Sequence, residues 1–415
     1  MNYRVFIIFC IVLSSFTRCE GLITGTAPEK TLQLTKTQVR LVEADNHFGF
    51  DLFKEVTARG GEENMFISPL SVSMALGMTM NGAENATYDS LGNALGYADL
   101  SRQEINESYQ DLMEQLTDLD AKVAMEIANA IWVRQGLPVE QEFIDVNTQY
   151  FDAEVTNLNF GDPGSVDIIN NWVASSTHDK ITRILDKIPP EMVMYLMNAL
   201  YFKGDWTYQF DPEHTGQASF YPAQNTDIQC EMMSIEQEFP YFETDQFQAI
   251  DLPYGAGDFS MVILLPRQEY TRSRLIEDLD LDQWLSWMNQ FQKREGTLRL
   301  PKFTLEYKTL LNDMLKALGM GIAFDPGRAD FSGISQEVYD QGDRLYISEV
   351  LHKTFVRVDE QGTEAAAVTS VGVGVTSVQP DRFTMVVNRP FIFAIRERAT
   401  NTILFLGSVV RPEWE

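Results

Sequence analysis

Four histidines, three cysteines and 60 carboxylates are the groups from which this 415-residue chain could build catalysis or a metal site. Their spacing suits neither. His47, His178, His214 and His352 are scattered, and no HExxH, CxxC or paired-histidine spacing occurs that would bind zinc. Gly372-Val373-Gly374 is a fragment of a phosphate loop without its third glycine or a following helix. The acidic run DLDLDQW from Asp278 lacks the glycine an EF-hand needs at its sixth position. No GxSxG elbow is present to expose a nucleophilic serine. The expectation is a protein with no metal, no cofactor and no enzymatic turnover. A hydrolase stays open as an alternative, one that peptide turnover without loss of the protein would revive.

Composition suits a folded protein, with 44% hydrophobic and 11% aromatic residues over a length that fits one large domain or two ordinary ones. The first 19 residues carry Arg4, an apolar run from Val5 to Leu13, then small and polar residues. That is the pattern of a secretory signal peptide, with cleavage after Cys19 or Gly21. Cys10 and Cys19 leave with it, so Cys230 remains alone, expected as a buried small hydrophobe rather than a disulfide partner. The formal charge of −28 becomes more negative once Arg4 and Arg18 are lost. Such a surface disfavours nucleic acid and anionic membranes. No basic cluster stands out between Glu84 and Leu116, which argues against a heparin-type polyanion. The sequons at Asn85 and Asn106 are candidate glycosylation sites, and the expected location is extracellular.

The elements that position these residues follow from periodicity. Residues 20–36 are polar and read as a loose tail. Leu41, Phe48, Leu52 and Val56 share one helical face, and Val72 to Met80 reads as a buried helix after the Ser68-Pro69 turn. Residues 141–158 and 167–185 read as helical or mixed. The chain then turns strand-rich. MVMYLMNALYFKG is an apolar run broken by Asn198, and FQAIDLPYGAGDFSMVILLPR reads as a hairpin turning at Gly255 to Asp258. TLRLPKFTLEY reads as another strand, followed by a helix near 310–318, and FIFAIRER pairs with TILFLGSVV around Thr400-Asn401. Early helices and later strands predict a single α+β domain over residues 37–415.

One stretch fits none of these elements. GTEAAAVTSVGVGVTSVQP, from Gly362 to Pro380, carries Glu364 as its only charge and no large side chain. Taken alternately, one face is Thr363, Ala365, Ala367, Thr369, Val371, Val373 and Val375, and the other is Glu364, Ala366, Val368, Ser370, Gly372 and Gly374. Period-2 sorting of this kind is what a half-buried strand needs. Glycines and small residues also suit an exposed loop open to proteases. Both readings hold if the segment changes state. Ordering costs about 1–2 kcal/mol per residue. A ladder hydrogen bond returns roughly 1 kcal/mol, and each buried valine about 1.5–3 kcal/mol.

HKTFVRVDEQGTEAAAVTS at 352–370 resembles the reactive-loop hinge of inhibitory serpins. Further stretches match the family in its order: NMFISPLSVSMALGM at 64–78, LMNALYFKGDW at 196–206, DLPYGAGDFSMVILLP at 251–266, LPKFTLE at 300–306, ADFSGI at 329–334 and RPFIFAIRERATNTILFLGSVVRP at 389–412. The resemblance implies a metastable α+β fold with three sheets, eight or nine helices and a reactive-centre loop at about 360–382. It also implies a covalent trap: a serine protease attacks the loop, and the cleaved loop enters the main sheet before the acyl-enzyme can be hydrolysed.

Counting from Glu360, the family's spacing puts the reactive bond at Thr376-Ser377, with Val375 as the alternative cleavage residue. No Arg or Lys lies between Gln361 and Asp381, so an elastase-like or subtilisin-like target is expected rather than a trypsin-like one. The implied hinge is Glu360, Gly362, Thr363, Glu364, Ala365, Ala366, Ala367 and Thr369. Ser68, Ser71, Asn198 and His352 match the family's polar shutter, read as one mutually hydrogen-bonded cluster, and Trp206 matches the breach. The protein is expected to act as a monomer. A non-inhibitory carrier or storage serpin is the alternative.

Overall fold

The first helix, α1 (Lys36–Gly60), begins where Thr35 and Gln38 cap one another's backbone N–H groups. The computed structural model describes residues 32–363 and 382–414. The expected leader at 1–19 and the loop residues Glu364, Ala365, Ala366, Ala367, Thr369, Thr376 and Ser377 lie outside that range. After α1 come β1 (Met65–Ile67), α2 (Pro69–Met80), α3 (Asn85–Leu95), α4 (Arg102–Thr117), β2 (Val123–Arg134), α5 (Gln141–Phe151), β3 (Ala153–Leu158) and α6 (Gly164–Ser176). The strand-rich half holds β4 (Met194–Asp205), β5 (Gly216–Ala223), β6 (Thr226–Glu243), β7 (Phe247–Pro253) and β8 (Phe259–Pro266). It continues through α7 (Arg272–Glu277), α8 (Leu281–Met288), β9 (Gln292–Pro301), β10 (Phe303–Leu310), α9 (Asn312–Leu315) and α10 (Gln336–Asp340). The last strands are β11 (Leu351–Val358), β12 (Gly362–Thr363), β13 (Phe383–Val386), β14 (Phe391–Glu397) and β15 (Ile403–Val409).

Among the described residues the strands form two hydrogen-bonded networks. One is six-stranded, in the order β10-β11-β12-β4-β2-β3. The other has nine strands, because β6 is 18 residues long: its first part pairs with β5 and its last residues with β7, while β9 runs alongside. Two of the expected three sheets are thus fused through one strand. Among the described residues the helix count exceeds the expected eight or nine only by short turns, since α9 has 4 residues and α10 has 5.

The run TLRLPKFTLEY is not one strand. Lys302 turns a corner, so that Pro301 ends β9 in the large network and Phe303 starts β10 in the other. The buried face shifts from Leu298 and Leu300 to Phe303 and Leu305, so the alternation changes phase at the corner where the chain changes sheets. Residues 153–158, within a stretch read as helical or mixed, form β3 parallel to β2.

The main core lies between α1, α2 and the sheets, with Phe48, Phe53, Phe66, Phe393 and Leu406 almost wholly enclosed. A second, smaller core packs α6 onto the six-stranded sheet through Trp132, Ile169, Val173 and Tyr195. One carboxylate is sealed among the helices. Asp45 of α1 accepts hydrogen bonds from the Tyr97 and Tyr109 hydroxyls, the latter at 2.9 Å. Burial pushes its carboxyl up to about 7, against the downward pull of those hydroxyls.

The sequon asparagine Asn106 is enclosed in the folded protein. Its side chain is buried, and Nδ2 donates to Asn81 Oδ1 at 2.9 Å while Asn81 returns a bond at 3.1 Å. Asn85 is exposed, though its amide nitrogen donates to Asp330 at 2.9 Å. Cys230 is buried as expected, with its thiol near the Ala218 carbonyl and raised in pKa by burial.

Candidate functional site

At the end of β11 the chain reverses in a tight turn. Asp359 N–H donates to the Gly362 carbonyl at 3.0 Å, and Gly362-Thr363 runs back as β12 between β11 and β4. The register is Val358↔Thr363 on one side, and Gly362↔Asp205 with Thr363↔Gly204 on the other. Gly362 is required by crowding: a Cβ there would lie 2.1 Å from the Gly204 carbonyl oxygen. Thr363 is buried, and its hydroxyl meets the Tyr254 hydroxyl at 2.6 Å.

Four residues fasten the turn. Trp206 N–H donates to the Gln361 carbonyl at 2.7 Å, its indole N–H to the Asp359 carbonyl at 2.9 Å, and its ring stacks on Tyr254 at 4.4 Å. Phe210 N–H donates to the Glu360 carbonyl. The Glu360 carboxylate is held by Lys302 at 3.0 Å and by the Thr215 hydroxyl at 2.8 Å. Burial acts to raise the Glu360 carboxyl, and hydrogen bonds from its own backbone, Lys302 and Thr215 outweigh it, leaving it lowered. Asp359 goes the other way, raised chiefly by burial.

Ahead of Thr363, among the described residues, no backbone ladder joins β4 directly to β11. A cavity of about 210 Å3 lies there, lined by Met194–Leu200, by 348–354, and by Ser68, Ser71, Trp172 and Ile181. The polar residues singled out in the sequence border it, but their wiring differs from a single mutual cluster. Ser68 N–H donates to His352 Nε2 at 3.0 Å, and Ser68 Oγ donates to the Leu404 carbonyl while accepting from Ser71 N–H. Ser71 Oγ reaches the Asn198 carbonyl only at 3.5 Å.

The Asn198 amide instead donates to Asn129 Oδ1 at 2.8 Å, and Asn129 in turn donates to the Phe151 carbonyl. Asn198 Oδ1 is buried with no hydrogen-bond partner. Asn129 was missed by sequence reasoning; the signal was an amide at the centre of the apolar strand VAMEIANAIWVR. A backbone N–H can only donate, so His352 Nε2 carries no proton, and burial pushes its pKa down to about 4. His352 is therefore a neutral acceptor that ties β11 to the start of α2.

A two-residue strand therefore lies between β4 and β11 at the edge of a cavity between those strands. Comparison with known proteins identifies the family. The family model described as "Serpin (serine protease inhibitor)" matches residues 43–412, and the chain belongs to the serpin family. It is 35% identical to Iripin-2 of Ixodes ricinus, over 90% of this chain and 94% of that protein. The fold matches the native state of the thermophilic serpin tengpin with a TM-score of 0.82 and 34% identity, covering 92% of this chain and 96% of the other. It matches human thyroxine-binding globulin in complex with thyroxine with a TM-score of 0.82 and 27% identity, covering 91% and 100%.

Serpins are generally protease inhibitors rather than enzymes. Among the described residues no group of His, Cys, Asp and Glu could hold a metal ion, and no helix is long and apolar enough to cross a membrane.

Proposed function

We propose that the protein is a secreted suicide inhibitor of serine proteases of the elastase-like or subtilisin-like class, acting as a monomer. The observation that carries this reading is the register of β12. Extended with the same pairing, the strand brings Thr369 opposite both Asn198 on β4 and His352 on β11. A threonine hydroxyl arriving there would meet the unpartnered Asn198 Oδ1. The residues between, Glu364 to Val368, include three alanines, so the inward face crosses the cavity without a bulky or charged side chain.

In this mechanism the protease serine adds to the Thr376 carbonyl, the Thr376-Ser377 amide breaks, and the new amine at Ser377 departs. The ester stays on Thr376 while the freed strand fills the gap between β4 and β11. Each inserted residue gains ladder hydrogen bonds on both sides. That gain opposes an ordering cost of about 1–2 kcal/mol per residue. Insertion displaces the bound protease and stalls deacylation. The trapped complex then lasts by its rate of decay rather than by equilibrium. Thr376, small and β-branched, suits a shallow or tolerant specificity pocket.

Incubation with elastase-, subtilisin-, chymotrypsin- and trypsin-like proteases tests the proposal on a denaturing gel, with mass analysis of the released fragment. A detergent-stable complex and a peptide beginning at Ser377 are expected, together with some simple cleavage, since glycines such as Gly372 and Gly374 weaken strand formation and slow insertion. Clean cleavage by every protease with no complex would refute trapping, and a peptide beginning at Thr376 would move the reactive bond to Val375.

A further inference from the structure

We propose that Trp414 is a positioning residue for the hinge, acting through the two cations beside the hinge carboxylates. Its indole lies against both. Lys302 Nζ is 4.1 Å from the ring centroid and the Arg357 guanidinium carbon is 4.4 Å from it. Lys302, at the corner between β9 and β10, binds the Glu360 carboxylate at 3.0 Å. Arg357, on β11, brings its Nε to 3.9 Å from the Asp359 carboxylate. One aromatic plate thus spans the two elements whose charges face the turn at 359–360.

The ring is held in place by its own chain. Asn64 Oδ1 accepts from the N–H groups of Val410 at 2.7 Å and Arg411 at 2.9 Å, and Asn64 Nδ2 donates to the Arg411 carbonyl at 2.7 Å. Two residues on, the Glu413 carbonyl accepts from Thr304 N–H at 2.7 Å, two positions past Lys302. The tail crosses the sheet corner under fixed register, and Trp414 follows at the point where both cations emerge.

The physical consequence concerns order. A lysine or arginine side chain surrenders rotamer freedom when it enters an ion pair. A ring that already confines the cation removes part of that loss before the carboxylate arrives. The Lys302 and Glu360 side chains are only 15% and 11% exposed, so the indole acts on a cation largely screened from water, where its attraction is stronger than at an open surface. Trp414 reaches the hinge hairpin only through the side chains of Lys302 and of Arg357 on β11, and its removal should loosen the turn that starts β12.

Hydrogen exchange of the full chain, read by mass spectrometry on peptides covering 355–363, tests this without relying on any protease. Trp414→Ala should speed exchange of the hinge amides by roughly two- to thirtyfold, the range that cation–π attraction implies. Peptides of β14 should be unchanged, and Trp414→Phe should restore most of the protection. In a Lys302→Met, Arg357→Met background, Trp414→Ala should add no further acceleration. Unchanged hinge exchange in Trp414→Ala, or the same acceleration in the cation-free background, would overturn the proposal.

The link to inhibition rests on the loop-insertion reading, and protease complexes measured in parallel separate the two. Faster hinge exchange with no complex from wild type or variant leaves the clamp standing and removes the inhibitor. A wild-type complex with unmoved hinge exchange does the reverse.

Discussion

Acidification should weaken the junction between β11 and α2 through His352. The imidazole accepts Ser68 N–H at Nε2, is buried, and has a pKa lowered from 6.5 to about 4 by burial. Its folded value lies below its unfolded value, so the unfolded state takes the proton first. The stability held by the neutral ring is complete above about pH 6.5 and is lost as pH falls towards 4. At roughly 1.4 kcal/mol per pH unit, the loss is about 2 kcal/mol at pH 5 and about 3 kcal/mol near pH 4. Protonation would also set a second N–H against that of Ser68, two donors with no acceptor between them.

The assay is urea unfolding, followed by tryptophan fluorescence, of wild type and His352→Gln from about pH 7.5 down to about pH 4.5. Glutamine keeps an acceptor but cannot titrate, so subtracting its pH profile cancels the carboxylates both proteins share. Wild type should lose stability relative to the variant by about 2 kcal/mol between pH 7 and pH 5. Parallel profiles across that window would refute the reasoning, because they would mean that His352 takes up no extra proton on unfolding.

Asp45 predicts the opposite slope. Its folded carboxyl is raised to about 7, so the stability of the neutral form is present below about pH 4 and lost as pH rises through 7. Asp45→Asn should therefore gain on wild type by up to about 4 kcal/mol at pH 8, seen as a thermal midpoint that no longer falls with rising pH; a variant whose midpoint falls in step with wild type contradicts it. Gly362→Val should push β12 off Gly204, at a cost of about 1–3 kcal/mol for overpacking against backbone, and convert inhibition into turnover on the protease gel. Retention of wild-type stoichiometry would show that docking of Gly362 is dispensable. Thr363→Arg would bury a charge beside Tyr254 at a cost of several kcal/mol. Complex formation should disappear while cleavage continues, and an intact complex would sink the insertion route.

Local pattern carried much of the chain. The helical face of Leu41, Phe48, Leu52 and Val56, the hairpin at Gly255 to Asp258 and the strands around Thr400-Asn401 stand where periodicity and turn chemistry put them. These features were legible because burial of one face imposes a repeat within a few residues.

What the tertiary structure alone decided was the choice of partners. Asn198 found Asn129 rather than His352, and His352 found the backbone of Ser68 from 284 residues away. Asp45 gathered two tyrosines, Asn106 closed on Asn81, and Trp414 settled on Lys302. A polar or aromatic side chain announces in sequence that it needs a partner. It does not say which, because that depends on how distant segments are brought together by the burial of everything else.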